Sequence, residues 1–465
     1  KRTAVKRTNP QVTRFKRTAV KRTNPQVTRF KRTTGETNMT TSLKTDAATV
    51  KTDWKEFILP AAQPYYRDPL VLVEGSGSRV TDATGREYLD FFCGILTTGI
   101  GHCHPEVVER VREQVGRLGH TSTLYINEPQ VNAARRLAGI APGNLKKTFF
   151  TNSGTEAVET AIMLARMYTG RNDIIALRYG YSGRSALGTT LTAMGAWTPL
   201  GGAVPWVKHA LSPYCYRCAF GPPHDRCAER YAQDIEEIIV TLTNGKPAAF
   251  FAETILGAGG YIVPPPGYFQ LVAAIVRKHG GLFISDEVQA GFGRTGGKWF
   301  GIEHWGVEPD IMVMAKTVAG GMPVGATIAR DEVAAAWQGK TISTFGGNPV
   351  CMTAMDATLE IMERENVPAR SAERGRELRA GLDQLAGQHQ WIGDVRGMGM
   401  MQAMELVDDR ESKAPSPKKA AALLEACRAE GLLIGSGGLY GHVIRIAPQM
   451  LMTQAELAEG LEKLG

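Results

Sequence analysis

Through the middle of this chain, short apolar runs alternate with segments whose apolar residues recur at helical spacing. Such alternation implies a mostly parallel sheet with helices on both faces, an α/β architecture. Strands are expected near residues 148–151, 173–177, 248–252, 282–285, 311–314 and 324–329, with helices in most of the gaps, as at 156–166 and 268–278. Ahead of this core, residues 71–92 read as a meander of short strands, punctuated by Gly75, Gly77 and a turn at 82–85. Pro105 suits the first position of a helix that ends near Gly116 or Gly119. A further helix is expected over 350–365, leading into a C-terminal α+β region that closes on a strand at 443–446. The cluster Gly435-Ser436-Gly437-Gly438 lacks the strand–loop–helix setting of a phosphate loop and reads as a turn.

Two of the apolar runs end in charge. Leu282-Phe283-Ile284 leads to Asp286 and Glu287, and the run from Ile311 to Met314 leads to Ala315 and Lys316. Strands buried on both faces deliver these charges to one edge of the sheet, and the carboxyl edge of an open parallel sheet is where ligands bind. Alone, an Asp there is more often a turn residue and a Lys more often a surface one. Together, after two fully apolar strands with a glycine-rich loop between, they form the arrangement that a pyridoxal phosphate enzyme needs. The amine holds the cofactor aldehyde as a Schiff base, and the acid keeps the pyridine nitrogen protonated. The stretch FFTNSGTEAVETAIMLAR supplies a third part. Ser153, Gly154 and Thr155 sit at a helix start, where unpaired N–H groups and the helix dipole favour a phosphate. Ser153 with Glu156 also matches a plain capping box; beside Lys316 and Asp286, the phosphate cup is preferred.

Composition narrows the class. Hydrophobic residues make up 43% and charged residues 22% of the 465, which suits a globular chain of two or three domains' worth of sequence. No apolar run approaches the ~18 residues of a membrane span. The formal charge of +8 sits at the start: residues 1–35 hold 5 Lys and 7 Arg and no acid, so the rest is net acidic. Residues 1–15 recur identically as 16–30, and a third copy begins at 31. This basic, Thr-rich repeat cannot build a core and is expected to be disordered. It reads as an upstream extension ahead of Met39 rather than a nucleic-acid tether.

Seven scattered cysteines, and no apolar stretch behind the basic start, point to reduced thiols in a cytoplasmic protein. Cys93, Cys103, Cys351 and Cys427 are expected in the core. Cys215, Cys218, His224 and Cys227 have the ligand types of a zinc site. Their spacing is cramped and a second CxxC is missing, so they read as a loop of ordinary thiols and no metal is expected. His102 and His104 read as part of a turn.

NSGTEA, the DEVQ-GFGRTG block, PDI-x3-AK, STFGGNP and the late IRIAP together resemble the class III aminotransferases of the aspartate aminotransferase-like fold, pyridoxal phosphate fold type I. GDVRGMGMM and GLLIGSGG make the chain most similar to the alanine–glyoxylate branch. The resemblance runs from about Tyr65 to the C-terminus. It implies that, behind the tail of residues 1–38, residues 39–95 contribute to a small domain with 347–465, while 96–346 form the large cofactor-binding domain. Lys316 would bond the cofactor covalently and then shuttle the reacting proton, and Asp286 would pair with the pyridine nitrogen. Gln289 would bond the ring's phenolic oxygen, Val288 would pack beneath the ring, and Tyr181, followed by Ser182, would stack on its other face. Thr344 would reach the phosphate of the neighbouring subunit, which implies a homodimer. Arg445 would grip the substrate carboxylate, with Glu253 able to engage Arg445 when the substrate has none, and Ile95 would line the pocket.

Two segments depart from the family. Ser182 stands where relatives usually carry His, and Glu253-Thr254-Ile255-Leu256-Gly257 stands where they carry Glu-Pro-Ile-Gln-Gly. The second change is expected to make the pocket wall less polar and more open. The implied activity is transfer of an amino group from an amino acid or amine to pyruvate or glyoxylate. An amine–pyruvate transaminase, or a mutase or racemase on the same fold, is the alternative.

Overall fold

Six of the seven strands in the central sheet fall where the apolar runs lie: Leu145–Thr151, Ile174–Leu177, Ala249–Glu253, Leu282–Asp286, Ile311–Met314 and Gly325–Arg330. The computed structural model describes residues 46–200, 204–222 and 225–465. The repeat tail, and with it the expectation of disorder, lies outside the described residues, as does His224. The seventh strand, Val207–Ala210, carries no apolar run; its Lys208 and His209 are only half-buried at the sheet edge, so nothing local announces it. The strand order is 145–151, 325–330, 311–314, 282–286, 249–253, 174–177, 207–210. Strand Gly325–Arg330 runs antiparallel to both neighbours, and the other pairs are parallel.

Alternation along each central strand feeds two separate cores. Ile175, Phe250, Phe283 and Met312 enter one cluster, whereas Ile174, Phe251, Ile284 and Val313 enter the other. Period-2 side-chain direction thus turns a continuous apolar run into two buried faces. One face is covered by helix Gly154–Thr169 through Ala157, Val158, Ala161, Ile162 and Ala165. The other receives helix Tyr268–Lys278, whose Phe269 ring lies 5.9 Å edge-on to Phe283. Burial of each such ring contributes about 1.5–3 kcal/mol.

The N-terminal meander, Leu72–Ser76, Arg79–Asp82 and Glu87–Asp90, is joined in parallel by Leu432–Leu433 from near the other end of the chain. A second four-stranded sheet comprises Ile392–Met398, Met401–Leu406, Val443–Ile446 and Gly435–Gly437. The last of these corrects the expected turn. Gly435–Gly437 is an edge strand antiparallel to Val443–Ile446, and the chain reverses after it. Its glycines serve close approach: a Cβ on Gly435 would lie 2.2 Å from Phe92 Cε2, and one on Gly437 would lie 2.8 Å from Arg445 Nε. Cys103 is also corrected. It is exposed, in a turn with left-handed backbone just before the helix Pro105–Arg117, and Cys351 is only partly buried. No described helix is long and apolar enough to cross a membrane.

The C-terminal helix Gln454–Leu464 rests on Phe91, which is fully buried. A Cβ on Gly460 would lie 1.9 Å from Phe91 Cζ. Gly460→Ala is therefore expected to cost about 1–3 kcal/mol by overpacking and to lower Tm by several degrees in scanning fluorimetry. An unchanged midpoint would mean that Phe91 has somewhere else to go.

Candidate active site

The segments leaving the carboxyl edge of the sheet converge on a cavity of ≈ 390 Å³. Strand Leu145–Thr151 runs into Asn152 and then Ser153, the N-cap of helix Gly154–Thr169. Ser153 caps the helix, while the Glu156 carboxylate takes the Asn152 N–H at 2.8 Å. Ser153 Oγ accepts the Glu156 N–H at 3.4 Å and donates to Glu156 Oε2 at 3.0 Å, so its hydroxyl is engaged in the cap. Thr155 Oγ1 lies 3.1 Å from Ser185 Oγ. What the helix start offers the cavity is its backbone N–H groups and the positive end of its dipole. The antiparallel strand closes tightly over this turn, because a Cβ on Gly325 would meet Ser153 O at 2.1 Å.

Two acids stand side by side at the ends of neighbouring parallel strands, Glu253 in register with Asp286. Both are buried. Asp286 Oδ1 accepts the Val288 N–H at 3.0 Å. Burial pushes its carboxyl up to about 6, against the opposing pull of that N–H and of the Lys316 charge. Glu253 is pushed up to about 8, by burial first and by Asp286 second. Its two oxygens accept the N–H groups of Tyr181 at 2.9 Å and Gly257 at 2.8 Å, tying two cavity loops to one strand end.

Lys316 follows strand Ile311–Met314 and opens a short 3₁₀ turn with φ 53. Left-handed backbone at a lysine costs about 1 kcal/mol or more and is held only by surrounding structure. Part of that hold is Thr317, whose hydroxyl donates to Leu96 O. Burial lowers the Lys316 pKa, and Asp286 and Glu253 work against that shift. The result is a buried amine held below its ordinary pKa, with the carboxyls of Asp286 and Glu253 opposing that shift.

Of the residues singled out from the sequence, Ser153, Gly154, Thr155, Tyr181, Ser182, Asp286, Val288 and Lys316 line this cavity. Gln289 is not among the lining residues; its Nε2 lies 3.5 Å from Glu253 Oε2, and its buried Oε1 has no hydrogen-bond partner among the described residues. Gly257 makes room for Gln289, since a Cβ there would fall 2.1 Å from Nε2. Thr344 is exposed and Ile95 is 49% exposed, and neither lines the cavity within this chain.

Arg445 is buried, with Nε donating to Ser436 O at 2.8 Å and Nη1 to Gly257 O at 3.5 Å. Its guanidinium lies 4.9 Å from the Phe92 ring centroid and 5.7 Å from that of Tyr261. This aromatic sandwich has no sequence signal, because its three members are spread from residue 92 to 445. Glu253 does not pair with Arg445, since Gly257 stands between them, bonding one through its N–H and the other through its C=O. Leu256 is fully buried in the core, an apolar side chain beside Glu253 and Ser182. Ser182, in the histidine's place, is buried with its N–H on Thr192 Oγ1 at 2.9 Å.

The residues fit pyridoxal phosphate. A helix start can take the phosphate, Tyr181 and Val288 offer surfaces for the ring, and a buried carboxyl and a buried amine line the same cavity with no salt bridge of their own among the described residues.

Comparison with known proteins agrees. The family model described as aminotransferase class-III matches residues 27–465. The chain is 43% identical over 401 residues to alanine–glyoxylate aminotransferase 2 homolog 2, mitochondrial, of Arabidopsis thaliana, spanning 86% of this chain and 83% of that protein. It is 40% identical over 402 residues to acetylornithine aminotransferase of Methanopyrus kandleri, spanning 86% and 94%. The crystal structure of an (S)-enantioselective omega-transaminase from Thermomicrobium roseum matches with TM-score 0.83 at 34% identity, over 90% of this chain and 97% of that one. A buried lysine, a buried aspartate and a helix start gathered on one cavity thus have their explanation: the chain belongs to the class-III aminotransferases, which are pyridoxal-phosphate-dependent enzymes.

Proposed function

We propose that this transaminase takes α-amino acid donors and passes the amino group to pyruvate or glyoxylate, with Arg445 reading the donor's carboxylate. The observation that carries this reading is the state of Arg445: buried, held by two carbonyls and two aromatic rings, and without a carboxylate partner among the described residues. A buried guanidinium in that state favours an anionic ligand able to form a bidentate pair. Bound in the cavity, pyridoxal phosphate supplies an aldehyde to receive the amino group and a ring that accepts electrons from the donor carbon. Ser153, Gly154 and Thr155 would hold its phosphate through backbone N–H groups at the helix start. Asp286 would balance the charge on the ring nitrogen, Gln289 would serve the phenolic oxygen, and Val288 and Tyr181 would flank the ring with Ser182 beside them. Lys316 Nζ would tether the coenzyme and serve as the base that moves the proton of the donor carbon. Glu253 positions the Tyr181 and Gly257 loops, and Ile95, which lies outside the cavity within this chain, would border the donor only in the assembled enzyme.

The same reading gives Thr344 to the phosphate of a second copy in a homodimer, supported by its exposure and that of neighbouring Phe345. It groups residues 39–95 with 347–465 around the 96–346 body, supported by the parallel pairing of Leu432 with Leu89. A cytoplasmic location is supported by the absence of disulfides among the described cysteines. An amine–pyruvate transaminase is the second reading, supported by the likeness to an omega-transaminase.

A donor panel with pyruvate and glyoxylate as acceptors separates the two. Arg445→Ala is expected to lower kcat/KM for α-amino acids about 10- to 100-fold, the worth of a charged hydrogen-bonded contact, and to leave carboxylate-free amines nearly unchanged. An equal loss for both donor types would remove Arg445 from carboxylate recognition.

A further inference from the structure

The loop ahead of helix Cys227–Leu242 brings together thiols that transamination does not use. Cys218 Sγ lies 3.8 Å from Cys227 Sγ, and the Tyr231 hydroxyl donates to Cys218 Sγ at 3.5 Å. The same hydroxyl accepts the Ala219 N–H at 3.0 Å, and the Phe220 ring meets the Tyr231 ring edge-on at 4.9 Å. On the other side of the cysteine, Tyr214 and Arg217 are bonded to the buried Glu405, and Lys413 Nζ donates to Tyr216 O at 3.0 Å. The backbone is therefore pinned immediately before and after Cys218, and these contacts hold its sulfur near Cys227. Cys218 is partly exposed and Cys227 is buried, the first residue of a helix.

We infer that Cys218 and Cys227 form a peroxide-responsive dithiol that closes reversibly to a disulfide, with Cys218 as the attacking sulfur. The hydrogen bonds around the two thiols support this order. Burial raises the Cys218 thiol, but the Tyr231 hydroxyl and the Phe220 N–H outweigh it and bring the pKa below the ordinary value. Burial raises the Cys227 thiol. Cys215, the third sulfur nearby, is also raised by burial, which leaves Cys218 as the readiest thiolate. The step balances with hydrogen peroxide as oxidant. The Cys218 thiolate takes one peroxide oxygen, the O–O bond breaks, hydroxide leaves and a sulfenic acid remains. Cys227 then attacks that sulfur, its proton and the sulfenic OH leave as water, and the S–S bond forms. A dithiol reductant reverses it.

The test uses the coenzyme-loaded enzyme, treated with peroxide, alkylated and mapped by mass spectrometry, with exposed Cys103 as the internal reference. The expected result is a Cys218–Cys227 crosslink that dithiothreitol reverses and that forms faster than Cys103 oxidises. In Cys227→Ser, dimedone should trap Cys218 as its sulfenic acid. Tyr231→Phe keeps the ring packing and removes the donor, and should slow Cys218 oxidation several-fold without altering Cys103. A crosslink through Cys215 instead, Cys218 oxidising no faster than Cys103, or an unchanged rate in Tyr231→Phe would each overturn the assignment.

Discussion

Lys316→Ala is expected to bind pyridoxal phosphate in the same cavity yet turn over about 10⁴-fold more slowly, or worse, since it removes both the covalent tether and the proton carrier. Nothing else at the cavity can take over. Among its lining residues, Arg184 is the other cationic side chain, and an arginine stays protonated. Arg445 is fixed between rings and has no free amine. Borohydride reduction of the loaded wild type, followed by peptide mapping, should fix the coenzyme to the peptide containing residue 316, and the variant should give no such label. A small primary amine added in excess should restore a fraction of the variant's turnover, because the missing function is a basic nitrogen at one point in space. Turnover within tenfold of wild type would remove Lys316 from the chemistry.

Asp286→Asn is expected to be nearly as severe while changing almost no volume. Removing the charge of one partner from a buried pair costs about 3–5 kcal/mol, or about 10²- to 10⁴-fold in turnover. The sign of the pH dependence gives a second readout. In the free protein burial raises the Asp286 carboxyl to about 6, above its ordinary value. A carboxyl raised in the folded state favours its neutral form, so its contribution to stability is fully present below its unfolded pKa and is lost as pH rises through about 6. A protonated ring nitrogen needs the ionised form instead. Coenzyme affinity of the wild type should therefore weaken as pH falls below about 6, where the carboxylate must first be ionised. The Asn variant should bind more weakly throughout and lose that acid limb. Coenzyme titrations followed by absorbance at several pH values decide it; a parallel acid limb in both proteins would place the titrating group elsewhere.

The lysine and the aspartate at the strand ends were legible in the sequence alone. Each ends an unbroken apolar run, and a run such as Ile311–Met314 has few destinations other than a strand buried on both faces. The helix start on the cavity was legible for a related reason, because a cap residue, a glycine and an amphipathic helix lie next to one another in the chain. Glycines misled where local pattern was the only guide. Gly435–Gly437 looks like a turn, but it is an edge strand stripped of side chains so that Phe92 and Arg445 can lie against it.

What can be read along the chain is therefore what repeats with the period of a strand or helix or is contained within one turn: the α/β class, six of the seven central strands, and the amine and acid at their ends. What needed the folded molecule is whatever depends on residues far apart in the chain or on backbone set by its surroundings. Lys316 is left-handed because its neighbours hold it so, Arg445 sits between Phe92 and Tyr261, and Glu253 bonds the Tyr181 and Gly257 loops rather than the arginine. The physical reason is that burial and periodicity leave their mark on each segment separately, whereas the direction a buried side chain takes is decided by which other segment packs against it.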